Sequence, residues 1–420
     1  MIEWTETQLM IRRTVRQFIE AEIAPRIMYL EHSDMPPYDV LRKMVKTFGM
    51  DVMATQQFHK QIAAERAQAA GQAAPAKEKT VSDDPARIAA KGEQEAMRIL
   101  PIIELCRYCP GLVTAMGVSM GLAGGAIMSK GTLEQKERWA LPLLTLEKVG
   151  AWAITEPNSG SDAFGGMKST ARRTADGQYV LNGNKTFITN GPYADTMIFI
   201  CRLDEEGVAP AQRKIISFIL DKGMPGLTQS KPFKKMGIHS SPTGELFLQD
   251  MVVGKDRLLG GTEEGTGRAG AKDTFTAERS GVAAMALGIV ERCLELSLKY
   301  AKERVQFGKP IGEFQLIQLK LAKMEIARVN LQNMVFRHIE LLANGKRPTL
   351  AEASAMKLYA AQTAVEVALE AVQIHGGNGY MVEYQVEQLL RDAKILQIYG
   401  GTDEIQITHI ARDLLSRESA

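Results

Sequence analysis

Two glycine-rich segments hold the densest chemistry in this chain. Residues 153–162 read Ala-Ile-Thr-Glu-Pro-Asn-Ser-Gly-Ser-Asp, a strand end entering a Pro/Gly turn crowded with hydroxyls and amides. Such a turn binds phosphate or a ring edge through backbone N–H groups, although as an isolated turn it only joins two strands. Residues 373–380 read Gln-Ile-His-Gly-Gly-Asn-Gly-Tyr. Three glycines this close at a helix end let a cofactor or another backbone approach; a plain helix end needs one. His375 beside them suits a ligand contact or a helix-end cap.

Other patterns carry less. Gly265-Thr-Gly-Arg-Ala-Gly270 matches G-x-G-x-x-G, but a dinucleotide fingerprint needs a strand before it and alternating strands and helices around it. It reads as a turn leading into helices. Cys106 and Cys109 form a lone C-x-x-C without a second half, and the six histidines show no metal spacing, so no metal site is expected.

These residues must be positioned by three kinds of sequence. Residues 5–30 show apolar positions Ile11, Val15, Phe18, Ile19 and Ile23 at helical spacing, a single amphipathic helix closed by Pro36-Pro37. Residues 58–98 are rich in Ala, Gln, Glu and Lys and read as a solvated excursion, helical in part; 100–146 return to apolar helix. From 149 to 253 come short Val/Ile/Phe/Thr runs at 149–155, 178–181, 185–189, 196–202, 214–220 and 245–253, with Asn182-Gly183 and Asn190-Gly191 as turns. With no helices between, this block reads as a barrel or sandwich. From about 274 the helical period returns in several long segments, a bundle. The order is α, β, α.

Composition sets bounds. At 420 residues, two or three domains are expected. A net charge of +2 gives no support for nucleic-acid binding by bulk charge. Four cysteines cannot form a disulfide framework. No signal peptide is read at the N-terminus. The best apolar run, 281–290, is too short to span a bilayer. An intracellular, cytoplasmic protein is expected.

The two glycine-rich segments, in this order around a β block, resemble the acyl-CoA dehydrogenase family. Phe187-Ile-Thr-Asn-Gly191 resembles its flavin-stacking strand, and Lys235-Met-Gly-Ile the loop before its last strands. Glu303-Arg-Val-Gln-Phe-Gly-Lys309 with Phe314-Gln315, and Ile398-Tyr-Gly-Gly-Thr-Asp-Glu404, resemble a bundle turn and the segment crossing the flavin. The resemblance implies a multidomain α+β fold: an N-terminal helical domain (1–147, insertion 58–98), a middle β-barrel (148–262) and a C-terminal four-helix bundle (263–420). It also implies FAD, an acyl-CoA substrate, electron-transfer flavoprotein as acceptor, and a homotetramer.

The family removes the α proton of a thioester while hydride leaves the β carbon, which requires a base, a stabilised enolate oxygen and exclusion of water. Most members place the base just before Gly-Thr in the crossing segment. Here that position is Gly400, followed by Gly401. A minority branch, including isovaleryl- and long-chain-type enzymes, carries the base on the first long bundle helix, and that position is Glu278. Glycine at one and glutamate at the other is a matched exchange, so Glu278 is expected to be the base and the Gly400 N–H to hold the thioester oxygen.

By the same resemblance, Trp152, Ile154, Thr155, Gly160, Ser161, Phe187 and Thr189 contact FAD, with Ser161 shared with the CoA arm. Arg304, Gln306, Phe307, Gln315, Gln373, Gly376 and Gly377 reach the FAD of a neighbouring subunit, and Thr402, Asp403 and Glu404 that of their own. Phe275, Arg279, Tyr399, Gly400 and Gly401 face substrate. Three departures stand out. The family's Pro-Glu-x-x-Gly-Gly-x-Gly segment near 60 is absent. Gln388 replaces an expected basic residue. Gly117, near Val113 and Thr114, replaces a pocket-floor acid and implies a long, branched or bulky acyl group. An acyl-CoA or nitroalkane-type oxidase and an FAD-binding subunit of a mixed oligomer are the alternatives.

Overall fold

The computed structural model describes residues 3–33, 35–71, 84–264 and 267–417, without the side chains of 211, 267–278 and 280. The motif turn at 265–266 lies outside the described residues. Helix starts are set locally. Thr5 Oγ1 accepts the Gln8 N–H while Gln8 Oε1 accepts the Thr5 N–H, and Thr349 and Glu352 repeat this reciprocal cap before Leu350–His375. The expected single helix over 5–30 is broken: Glu6–Glu22 and Ile27–His32 flank a tight turn at Ala24–Arg26. Pro25 has no N–H to continue the ladder.

The Ala/Gln-rich excursion is helical over its described residues, and 72–83 lie outside them. Helices Met50–Ala69 and Pro85–Cys106 supply most of it, and Phe58 and Ile62 are buried. Pro110–Lys130 is long and apolar enough to cross a membrane by length and composition, contrary to the reading that no such stretch exists. More than half of it is packed inside the protein, the behaviour of a core helix.

Seven strands form the middle sheet: β1 (Gly150–Ala153), β2 (Thr170–Arg173), β3 (Tyr179–Thr189), β4 (Thr196–Leu203), β5 (Ile215–Asp221), β6 (Leu227–Gln229) and β7 (Thr243–Val253). The spatial order runs β1, β4, β2, β3, β7, β6, and β5 pairs with β4. β1 and β2 occupy successive stretches of one edge of β4, both parallel to it. The expected β-barrel is therefore wrong: no ladder joins the edge strands β5 and β6 among the described residues, and the sheet stays open. Closure needs a pairing between edge strands, which alternation within each strand cannot encode. Asn182-Gly183 is not a turn either. β3 runs through it, and Gly183 lies so close to Ser169 that a Cβ there would stand 2.2 Å from its Oγ.

Every residue of β4 is buried, so both sheet faces are covered. Met197, Phe199, Cys201 and Leu203 join one apolar cluster made by the sheet itself. Ile198 and Ile200 point the opposite way, against Phe58, Ile62, Ile127 and Trp139 of the helical layer. The helices at the two chain ends share a separate core, with Ile19, Leu41 and Ile103 packed among Leu287, Leu331 and Leu389. The long helices Gly267–Glu303, Gln315–Ala343, Leu350–His375 and Asp403–Ser416 make the C-terminal bundle. Arg12 and Arg16 reach Glu104, joining two N-terminal helices, and Arg107 ties them to the bundle at Glu291, 3.0 Å away.

Candidate functional site

On the sheet side, β1 ends at Ala153 and the chain runs on through Ile154, Thr155 and Glu156. Trp152 and Ile154 pack into the helical layer, with the Lys130 ammonium 6.0 Å from the Trp152 ring centre. Gly160 and Ser161 are exposed, and Thr155 is half-buried. β3 approaches beside them. Its register against β7 shifts between Lys185 and Ile188, a bulge that sets two residues against one. Phe187 sits in that bulge at φ 57°, a left-handed conformation that is rare for an aromatic residue. Its ring is 67% exposed, with Phe233 edge-on at 6.1 Å. Thr189 ends the strand, paired with Thr243.

Two residues that sequence reasoning passed over hold this edge together. Lys185 is fully buried, and its Nζ donates to the Ile154 carbonyl at 3.0 Å and to Glu156 Oε1 at 2.8 Å. Burial pushes the ammonium's pKa down and Glu156 opposes that. Burial alone would raise Glu156, but Lys185 and the N–H groups of Ser169 and Lys168 bring it below the usual carboxylate range. Asn190, read only as a turn residue, is buried at φ 64°. Its Nδ2 donates to the Ala115 and Gly150 carbonyls, and Tyr38 Oη donates to its Oδ1. For Lys185 the signal was a charged residue inside an apolar strand pattern.

On the helical side, Gly400 and Gly401 have φ of 64° and 92°. A side chain at 401 would also meet Gln406 Nε2 at 2.7 Å, so glycine is required twice over. Gln406 Nε2 donates to both their carbonyls. Arg279, buried, donates from Nε to the Gly400 carbonyl at 3.2 Å and from Nη1 to Ser354 Oγ at 3.2 Å. This contact joins residues 121 apart and sets the crossing segment against the helix that carries residue 278. The side chains of Phe275 and Glu278 lie outside the described residues. Tyr399 Oη lies 3.5 Å from Met285 Sδ. Thr402 immediately precedes helix Asp403–Ser416, Asp403 pairs with buried Lys357 at 3.3 Å, and Glu404 is exposed in the first turn.

The remaining sequence candidates form a separate group. Arg304, Gln306, Phe307 and Gln315 stand exposed on the corner between two bundle helices, with Phe307 94% exposed. Gln373, Gly376 and Gly377 are exposed at the end of Leu350–His375. The Tyr300–His375 stack at 4.3 Å and the Asn378–Tyr300 hydrogen bond bring this end to that corner. No hydrogen bond or ring contact among the described residues links this group to the sheet-side edge.

Family models match three stretches: the acyl-CoA dehydrogenase N-terminal domain over 5–60, the middle domain over 151–251 and the C-terminal domain over 265–415. The chain belongs to the acyl-CoA dehydrogenase family. A short-chain-specific acyl-CoA dehydrogenase of Megasphaera elsdenii is 43% identical over 309 residues, 74% of this chain and 79% of that protein. The caffeyl-CoA reductase–Etf complex subunit CarC of Acetobacterium woodii is 33% identical over 417 residues, covering 99% and 100%. The solved butyryl-CoA dehydrogenase of M. elsdenii superposes with a TM-score of 0.80 at 35% identity, covering 98% and 99%. The protein is an FAD-binding oxidoreductase of acyl-CoA dehydrogenase type, acting on an acyl-CoA-type substrate. The residues present fit that cofactor. An exposed flat ring at Phe187, hydroxyls at Ser161 and Thr189, and open space over Gly160 suit a planar ring with a phosphate arm. Among the described residues, no group of three His, Cys, Asp or Glu side chains could hold a metal ion.

Proposed function

We propose that the chain converts an acyl-CoA to its trans-2-enoyl-CoA with Glu278 as the base, the arrangement of the isovaleryl- and long-chain-type branch. The observation that carries this reading is the Arg279–Gly400 hydrogen bond. It places the helix turn bearing residue 278 against the segment whose usual glutamate is here Gly400. Bound FAD would supply the acceptor for the β hydride. Glu278 would take the α proton, and the Gly400 N–H would hold the thioester oxygen as charge builds on it. Arg279, committed to the Gly400 carbonyl, would fix that glycine's orientation. Trp152, Ile154, Thr155, Gly160, Ser161, Phe187, Thr189, Thr402, Asp403 and Glu404 would hold FAD from the same subunit.

The exposed corner bearing Arg304, Gln306, Phe307, Gln315, Gln373, Gly376 and Gly377 would complete a neighbour's FAD site in a homotetramer. The near-total exposure of Phe307 favours cover by another chain. Domain limits at 147/148 and 262/263, a cytoplasmic location and electron-transfer flavoprotein as acceptor belong to the same reading, the last supported by the Etf-complex relative. A Cβ at Gly117 would meet nothing within 4 Å, which supports a deep acyl pocket.

The test is Glu278→Gln. The variant should purify yellow and bind acyl-CoA but fail to bleach under it anaerobically, across a panel from short to steroid-sized acyl groups. Flavin reduction at the wild-type rate by that variant sinks the assignment.

A further inference from the structure

We propose that the buried Lys185–Glu156 pair is a positioning device for the flavin-side edge, fixing where the Phe187 bulge stands relative to Thr155. This rests on the reading above that Thr155 and Phe187 face FAD. Lys185 immediately precedes the bulge, and two bonds tie Lys185 and Thr186 to the β1 extension. One is Lys185 Nζ to the Ile154 carbonyl at 3.0 Å; the other is the Thr186 N–H to the Thr155 carbonyl at 2.9 Å. Glu156 is held in turn from a third direction, by the Ser169 N–H at 3.0 Å and the Lys168 N–H at 2.6 Å. The ammonium also stands 5.3 Å from the Phe199 ring centre in the middle of the sheet. The pair therefore links the strand that presents Phe187, the turn that carries Gly160 and Ser161, and the start of β2.

Stability does not by itself explain such a pair. Taking two charges out of water costs more than their attraction commonly returns, and an apolar pair of equal volume is often as stable or more so. What the ion pair adds is direction. Its hydrogen bonds point at particular backbone atoms on either side of the edge, whereas apolar side chains would fill the space without fixing the carbonyl of Ile154. The left-handed backbone at Phe187 has a conformational cost, and such conformations persist where surrounding bonds over-determine them.

The experiment compares apo-protein of wild type, Lys185→Met and the double variant Lys185→Met/Glu156→Met. Each is titrated with FAD by flavin fluorescence and melted without FAD, and the visible circular dichroism of the bound flavin is recorded. The double variant should recover the apo-protein melting temperature lost by Lys185→Met. It should still bind FAD at least about tenfold more weakly than wild type and show altered flavin dichroism. FAD affinity within threefold of wild type in the double variant overturns the proposal. Where Lys185→Met fails to fold, Glu156→Gln takes its place, since the amide oxygen still accepts a backbone N–H. The underlying functional reading fails differently: wild-type apo-protein would not take up FAD, or Glu278→Gln would still be reduced.

Discussion

Gln388→Lys should make this protein more stable at pH 8, and by less at pH 5. Asp392 is buried, accepting the Ile238 N–H on Oδ1 and Gln388 Nε2 on Oδ2 at 3.2 Å. Glu31, also buried, shares the junction, with His239 Nδ1 at 3.6 Å and Arg391 Nη1 at 3.7 Å from its Oε2. Burial, then the charge of Glu31, raises Asp392 from 3.8 to about 7, against the pull of the Ile238 N–H, Gln388 and Arg391. Nearby Lys235 is pushed down to about 8 by burial. A carboxyl whose folded pKa exceeds its unfolded one holds its proton more tightly when folded. The contribution of Asp392 to stability therefore falls as pH rises from about 4 to about 7 and is level above that, a loss of at most roughly 4 kcal/mol. The resemblance expects a basic residue at 388. A cation there lowers a neighbouring carboxyl by about 1–3 units, roughly 1.4–4 kcal/mol. Melting and urea curves of the holoenzyme from pH 5 to 8.5 should show the variant gaining on wild type by about that amount as pH rises. A difference that does not change with pH refutes the reasoning. Asp392→Asn should abolish the pH dependence of the gain.

Two further outcomes follow from close packing and burial. Gly288→Ala puts a Cβ 2.2 Å from the Ile103 carbonyl, where the two helices touch. It should cost about 1–3 kcal/mol, read as a lower melting temperature. Burial pushes the Cys201 and Cys293 thiols to about 12 and those of Cys106 and Cys109 well above the ordinary value. A thiol reagent at pH 8 should leave the native protein unlabelled and titrate all four cysteines after denaturation.

The order of α and β blocks and most strand positions were legible in the sequence, because each depends on residues a few places apart. The limits of that reading are equally physical. β3 passes through Asn182-Gly183 because other segments pair with it there, Thr170 of β2 opposite Asn182 and Leu248 of β7 opposite Gly183. Phe58 and Ile62, in a stretch that reads as solvated, are buried because they cover a sheet face. Lys185 looked like a charge on a strand. Its role is invisible without Glu156, brought to 2.8 Å by chain reversal.

By itself the sequence determined the family and its general chemistry, through two glycine-rich segments and the ordered motifs around them, since these are matters of residue type and short spacing. Only the tertiary structure decided that the sheet stays open, that Arg279 grips Gly400, and that Glu31 and Asp392 share one buried junction. Edge pairing, long-range hydrogen bonds and desolvated charges arise from segments far apart in the chain, and no local pattern specifies which of them will meet.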